Sequence, residues 1–109
     1  MATFFRNKVI NGLGTTPTTI ADSTQTSRIT VIGLSICNVV DHVVKASVEL
    51  SDSSSSQGYY IKDVIIPVGQ SLRVVNGGEK LVLAESNILT ATCDTEGGVD
   101  VISSYVEIV

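Results

Sequence analysis

Residues Val43 to Ser51 alternate without a break: Val44, Ala46, Val48 and Leu50 share one parity, while Lys45, Ser47, Glu49 and Ser51 share the other. A period of two is the period of a strand with one buried face. Nearly every other apolar run is likewise short, rich in Val, Ile and Thr, and bounded by Gly, Pro, Asn, Asp or Ser. The whole chain therefore reads as β. With 109 residues it is expected to form one domain, large enough to bury roughly two thirds of its extended surface without a metal or disulfide.

The first strong strand is expected from Arg28 to about Val39. Its phase changes: Ile29 and Val31 share one parity, Ile32, Leu34 and Ile36 the other, and Gly33 sits just past the change, which predicts a bulge or a strand covered on both faces. Asn38 to His42 should turn this strand into Val43–Ser51 as a hairpin. Asp52 to Gly58, with serines at 53 to 56, reads as a solvated, mobile loop. Further strands are expected at Tyr59–Ile66, Ser71–Val75, Lys80–Leu83, Asn87–Cys93 and Val99–Ile108, separated by turns at Pro67–Gln70, Asn76–Gly78 and Asp94–Gly98. At most one helical turn fits, at Ala84 to Asn87.

Ala2 to Ile20 differs. Phe4, Phe5, Val9 and Ile10 are apolar, but Gly12, Gly14 and Pro17 are expected to interrupt any regular element, and the segment reads as an extended arm. Such an arm either pairs as an edge strand of its own domain or crosses to a neighbouring subunit, with Phe4 and Phe5 as anchors. Residues 21–27 are expected to be a polar connection. The expected architecture is all-β: an arm and connection over residues 1–26, then a single β-sandwich or jelly-roll-like domain of seven to eight strands over residues 27–109, in preference to a closed barrel.

Composition narrows function by exclusion. Charged residues make up 17% of the chain and mean hydropathy is +0.34, yet no apolar run reaches the roughly 18 residues of a membrane span. Part of the apolar surface should therefore face a partner subunit. Seven basic and eleven acidic side chains leave a net charge of −4 with the cations scattered, which argues against direct nucleic-acid binding. Met1 to Lys8 lacks the apolar core of a secretory signal, so synthesis in a cytoplasm without export by that route is expected. Cys37 and Cys93, 56 positions apart on different strands, are expected to be reduced core thiols, an inter-strand disulfide being the alternative.

No enzyme is expected, and no cofactor. His42 beside Asp41 lacks the further ligands or the nucleophile that catalysis or metal binding needs. The serine run lacks a rigid base, and Gly77-Gly78-Glu79-Lys80 lacks the spacing of a phosphate loop and is read as a hairpin turn. Asp94, Glu96 and Asp100 lack the ligand spacing of a calcium loop. Tyr59 and Tyr60, consecutive on a strand, face opposite sides, so one ring is an interface candidate unless both lie over the core edge.

From Tyr59 onward the chain carries Pro67, Gly69, Ser71 and Leu72, then Gly77, Gly78, Lys80, Leu81, Val82 and Leu83, and finally Ser104, Tyr105, Glu107 and Ile108; an earlier piece runs Thr30-Val31-Ile32-Gly33-Leu34 with Asn38. These motifs resemble a family of small virion structural proteins of tailed bacteriophages, including phages of marine and cyanobacterial hosts. The resemblance covers nearly everything after residue 25 and consists of turn and core positions, specific for a fold and silent on a role. It implies a β-sandwich that assembles into the particle as a homo-oligomer with the major capsid protein or with neck or tail proteins as partners. It also implies hairpin turns at Gly69, Gly77 and Gly78, and Tyr105 with Val106–Val109 packing at a sheet edge or on a neighbour. The expected role is a capsid-decorating or cement subunit; a neck, tail or fibre-attachment ring component and a carbohydrate-binding adhesion module are the alternatives. Interface candidates are Phe4, Phe5, Tyr59, Tyr60 and Tyr105.

Overall fold

A computed structural model describes residues 2–23, 28–52, 54, 56–75 and 80–108. The described residues form strands and connections: β1 (Thr3–Leu13), β2 (Thr18–Asp22), β3 (Arg28–Asn38), β4 (Val44–Ser51), β5 (Gln57–Ile66), β6 (Ser71–Val75), β7 (Leu81–Leu83), β8 (Ile88–Cys93) and β9 (Val99–Ile108). They build two antiparallel sheets. The first has the order β1-β9-β3-β6 with β7 also on β3, and the second has the order β2-β8-β4-β5. Because β6 pairs with Leu34–Cys37 and β7 with Ile29–Val31, the two are successive halves of one edge, and the fold has eight strand positions in jelly-roll order.

Alternation places the core. Ile29, Val31, Leu34 and Ile36 of β3 and Val99 and Val101 of β9 face Val44, Ala46 and Val48 of β4 and Leu89, Ala91 and Cys93 of β8, all buried. Full burial of each such Val, Leu or Ile contributes roughly 1.5–3 kcal/mol. The phase change in β3 is a bulge: its register against β9 shifts between Val31 and Gly33, which keeps Val31 and Leu34 both inward.

The segment read as an arm is laid into both sheets. β1 pairs with β9 from Thr3 to Leu13, and β2 pairs with β8. Gly12, Gly14 and Pro17 do not abolish these elements. Gly12, at φ +71°, forms the irregularity between Ile10 and Leu13, and Gly14 and Pro17 lie in the crossing between the sheets. A Cβ on Gly14 would lie 2.5 Å from a Glu96 carboxylate oxygen, so a larger residue there would displace the Glu96 side chain. Ala21 and Asp22, expected in a polar connection, end β2, and Ala21 is buried.

The expected β3–β4 hairpin is not formed, because β3 and β4 belong to different sheets. The same correction applies to the Gly69 turn, which carries the chain from β5 in the second sheet to β6 in the first. The turn at Asn76–Gly78 lies outside the described residues; its flanking strands β6 and β7 run in one direction along β3 and are not hairpin partners. Of the eight steps from one described strand to the next, six cross between sheets, and among the described strands only β4–β5 is a hairpin.

Crossing costs backbone pairing, and buried Asn38 restores it at one end of the sandwich. Its amide nitrogen donates to the carbonyls of His42 (2.9 Å) and Ile66 (3.0 Å), and its side-chain oxygen accepts from the Val40 amide (2.9 Å). Its own backbone N–H donates to Gln70, and the next, from Val39, to Gly98. One side chain thus joins the β3–β4 crossing to the end of β5, and its backbone joins both to the β5–β6 connection. Asn38→Ala should lower unfolding stability by about 2–4 kcal/mol, because two carbonyls and an amide lose their partners in a buried site; urea unfolding monitored by circular dichroism measures it, and a loss below about 0.5 kcal/mol would contradict this role.

Candidate assembly interface

The two sheets present unlike outer faces. On the first, β1, β9, β3 and β7 align Phe5, Val106, Thr30 and Val82 in one cross-strand row, and β1, β9, β3 and β6 align Val9, Ile102, Ser35 and Arg73 in a second. Phe5 is 80% exposed, Val9 63%, Val82 58% and Ile102 51%. Between the rows lie Asn7, Ser104 and Gly33, whose small size leaves open grooves beside Ile32. Exposed aliphatic side chains scattered singly are ordinary, but the pairs Phe5–Val106 and Val9–Ile102 gather several on one sheet face, which makes it the candidate contact surface.

The second sheet's outer face is mostly polar. Lys45, Ser47, Glu49 and Ser51 of β4 neighbour Thr90 and Thr92 of β8, with Thr19 and Asp22 of β2 beyond. Its apolar exceptions sit on edge strand β5, at Tyr59 and Ile65.

The five interface candidates separate into two groups. Phe5 and Tyr105 line the same groove with Arg6, Asn7, Ile32 and Ser104. Phe4 lies on the opposite face of β1 under the Arg6 guanidinium, 4.9 Å from ring centre to Cζ, and Arg6 also pairs with Glu107 at 2.9 Å. Tyr105 packs against the core. Tyr59 and Tyr60 lie on β5 in the other sheet: Tyr59 is 55% exposed with Lys62 Nζ 5.1 Å from its ring centre, and Tyr60 packs against the core. A register shift between Val48 and Glu49 leaves Tyr60 without a partner opposite in the ladder, and both Tyr60 and Ile61 pack against the core. The alternation argument did not single out Val9, Ile32, Val82 and Ile102, although apolar residues on both parities of Val99–Ile108 carry part of that signal.

The polar side chains weighed for chemistry hold the fold together. At the Asn38 end of the sandwich, Asp94 accepts from the Lys45 amide (3.0 Å), Glu96 from the Thr15 amide and hydroxyl (2.6 Å each), and Asp100 from the Gly12 amide (2.8 Å). These bonds tie the β1–β2 and β8–β9 crossings to each other and to β4. The Lys45 amide holds the Asp94 carboxyl below its ordinary pKa, and the Thr15 hydroxyl and then its amide hold Glu96 below its own. Ser54 and Ser56, from the run expected to be a mobile loop, fold onto Asp52: its carboxylate accepts from both amides and from the Ser54 hydroxyl, which lowers its pKa. Ser53 and Ser55 lie outside the described residues. His42 is exposed, with Nδ1 3.1 Å from the Val43 carbonyl. Both cysteines are free thiols: Cys93 is buried in the core, which raises its pKa, whereas Cys37 is half-buried and on the outward parity of β3. Among the described residues no three His, Cys, Asp or Glu side chains group as metal ligands, and no helix is long and apolar enough to cross a membrane.

No protein-family model matches the sequence, and the search for curated relatives finds none. Solved structures share the fold. A subunit of Bacillus endospore appendages, described as disulfide-linked pili, superposes with a TM-score of 0.59 at 8% identity over 97% of this chain and 87% of its own. A protein of the T13 particle of infectious bursal disease virus (IBDV) superposes with a TM-score of 0.55 at 10% identity over 97% of this chain. This chain spans 31% of that viral protein's length. At such identities the likeness is one of fold: an all-β sandwich of jelly-roll type.

The lowered carboxyl pKa values set a pH dependence. Each contributes stability that is full above its ordinary unfolded value and is lost as pH falls through the lowered folded value. Glu96→Ala should therefore lower the thermal midpoint at neutral pH, with the gap to wild type closing as the wild-type carboxylate protonates. Thermal unfolding from about pH 7 to about pH 3 measures this; a gap that stays constant to the acid end would show that the charge does not act.

Proposed function

We propose that this chain is a virion structural subunit that decorates and cements a capsid. The observation that carries the reading is the apolar outer face of the first sheet, set on a jelly roll whose other outer face is mostly polar. A cement subunit needs no chemistry. It must bury surface against several neighbours, and apolar area removed from water contributes roughly 25 cal/mol per Å², against which a stable contact of about 1,200–2,000 Å² is assembled. The face needs little rearrangement, because its side chains project from paired strands.

Three further observations support the reading. The turn and core residues Pro67, Gly69, Ser71, Leu72, Tyr105 and Glu107 resemble the pattern of small tailed-phage virion proteins. Both fold neighbours belong by description to assembled structures, a pilus and an icosahedral particle. The net charge of −4 suits an outer position away from packaged DNA. A ring position at the neck, tail or fibre base would use the same face with far fewer copies. A sugar-binding role draws less support, since exposed Tyr59 already has Lys62 over its ring.

Quantitative mass spectrometry of purified particles, counting this chain against the major capsid protein, tests the reading. Copies on the order of hundreds support decoration, roughly six to a few dozen move the subunit to a ring, and none overturns the virion role. Ile102→Glu places a charge at the centre of the apolar face on an exposed position. It should leave the far-UV circular dichroism unchanged and abolish incorporation into particles; undiminished incorporation would remove this face from the contact.

A further inference from the structure

The sheets have four edges, and three are guarded. β2 is five residues long and irregular between Thr19 and Ala21. β5 shifts register twice against β4 and holds Asp63 at φ +49°. The third edge is divided between two short strands, β6 of five residues and β7 of three. Short strands and bulges are two of the means by which proteins keep an edge from recruiting another strand. β1 has neither from Thr3 to Ile10: eight consecutive residues pair regularly with β9 on one side, among the described residues no strand lies on the other, and its charges, Arg6 and Lys8, restrict which register a second strand can take.

From this we infer that the free edge of β1 pairs antiparallel with β1 of a second copy, about a two-fold axis at Phe5, joining the two first sheets into one. The charges select the register. Opposite residues of an antiparallel pair share a face, so the axis must pass through a residue of β1, and like charges set directly opposite destabilise. An axis at Arg6 opposes the two Arg6 side chains, one at Asn7 opposes Arg6 and Lys8 twice, and one at Lys8 opposes the two lysines. An axis at Val9 or Ile10 draws the irregularity between Ile10 and Leu13 into the pairing. An axis at Phe4 sets Arg6 opposite Ala2, so the guanidinium meets neither an aromatic ring nor a carboxylate of the second copy.

At Phe5 the pairing is both long and complementary. Phe5 meets Phe5 on the outer face, and Phe4 meets Arg6, the cation–π partner it already has within its own chain. Glu107 lies opposite Phe4 across β9, so the row reads Glu107, Phe4, then Arg6 of the second copy. Each carboxylate thus gains the other copy's guanidinium two strand spacings away, on its own face. The two apolar outer faces become one, with the Phe5 pair at its centre.

This pairing deepens the assembling role proposed above and rests on it only for its setting. Sedimentation equilibrium of the purified full chain should show a dimer. Phe5→Lys should weaken it by roughly tenfold or more with circular dichroism unchanged, because it places like charges on the axis. In a Cys37→Ser background, mild oxidation should cross-link Phe5→Cys chains to each other, whereas Val9→Cys chains should remain uncross-linked. The cysteine comparison decides the register even if Phe5→Lys perturbs folding. A monomer up to millimolar concentration, a dimer undiminished by Phe5→Lys, or cross-linking at Val9 and not at Phe5 would each overturn the pairing. Particles that contain the chain while the purified chain stays monomeric overturn the pairing alone; a Phe5-centred dimer absent from particles overturns the virion role alone.

Discussion

The constraint on which this structure depends is that its chain changes sheet at nearly every turn. Each crossing carries backbone N–H and C=O groups past the end of a ladder, where no strand satisfies them and the core beneath admits no water. The sequence meets this with short polar side chains at the crossing points. Asn38 serves three groups at one end of the sandwich. At the other end Ser23, fully buried, donates to the Ala84 carbonyl and accepts from the Asn87 amide. Asp94, Glu96 and Asp100 do the same from the surface for Lys45, Thr15 and Gly12. The residues that look most like chemistry in this chain are therefore occupied in closing its ends.

Once the ends are closed, the two outer faces are free to differ. The inner faces need apolar residues at every second position, and Val44, Ala46, Val48, Val99 and Val101 supply them. Nothing in the core dictates the other parity. The second sheet fills it mostly with Lys, Glu, Ser and Thr, which keeps water against that face; the first fills it with Phe5, Val9, Val82 and Ile102, which leaves roughly half or more of each side chain exposed.

Strands were legible in the sequence and their partners were not. Ser71–Val75 and Val99–Ile108 end where alternation and turn residues place them, and the other strands from Arg28 onward differ at their ends by a residue or two. A period of two fixes which side chains share a face but says nothing of which strand lies alongside, so Asn38–His42 resembles a hairpin turn and is a crossing. Gly12 and Pro17 are strand breakers by propensity, yet a bulge and a crossing are places where each is tolerated, and β1 and β2 form around them. The interface candidates show the same division. Phe5 and Tyr59 stand out because an aromatic ring on an outward parity is conspicuous alone. Val9, Val82 and Ile102 are single aliphatic residues in separate strands, and only the order β1-β9-β3, with β7 on β3, gathers them.

That division also explains how a pilus subunit and a viral protein share this architecture at 8–10% identity. The fold asks for apolar residues at alternate positions, a few side chains that satisfy crossings, and glycine where the backbone demands it. Many sequences meet those terms. The outward parity is free of them, so it can change without disturbing the sandwich, and it is where one jelly roll acquires a partner different from another's. In this chain that freedom is spent on one face and the strand at its edge, so that under the role proposed above the determinants of assembly would lie on β1 and β9, while those of folding lie on β3, β4 and β8.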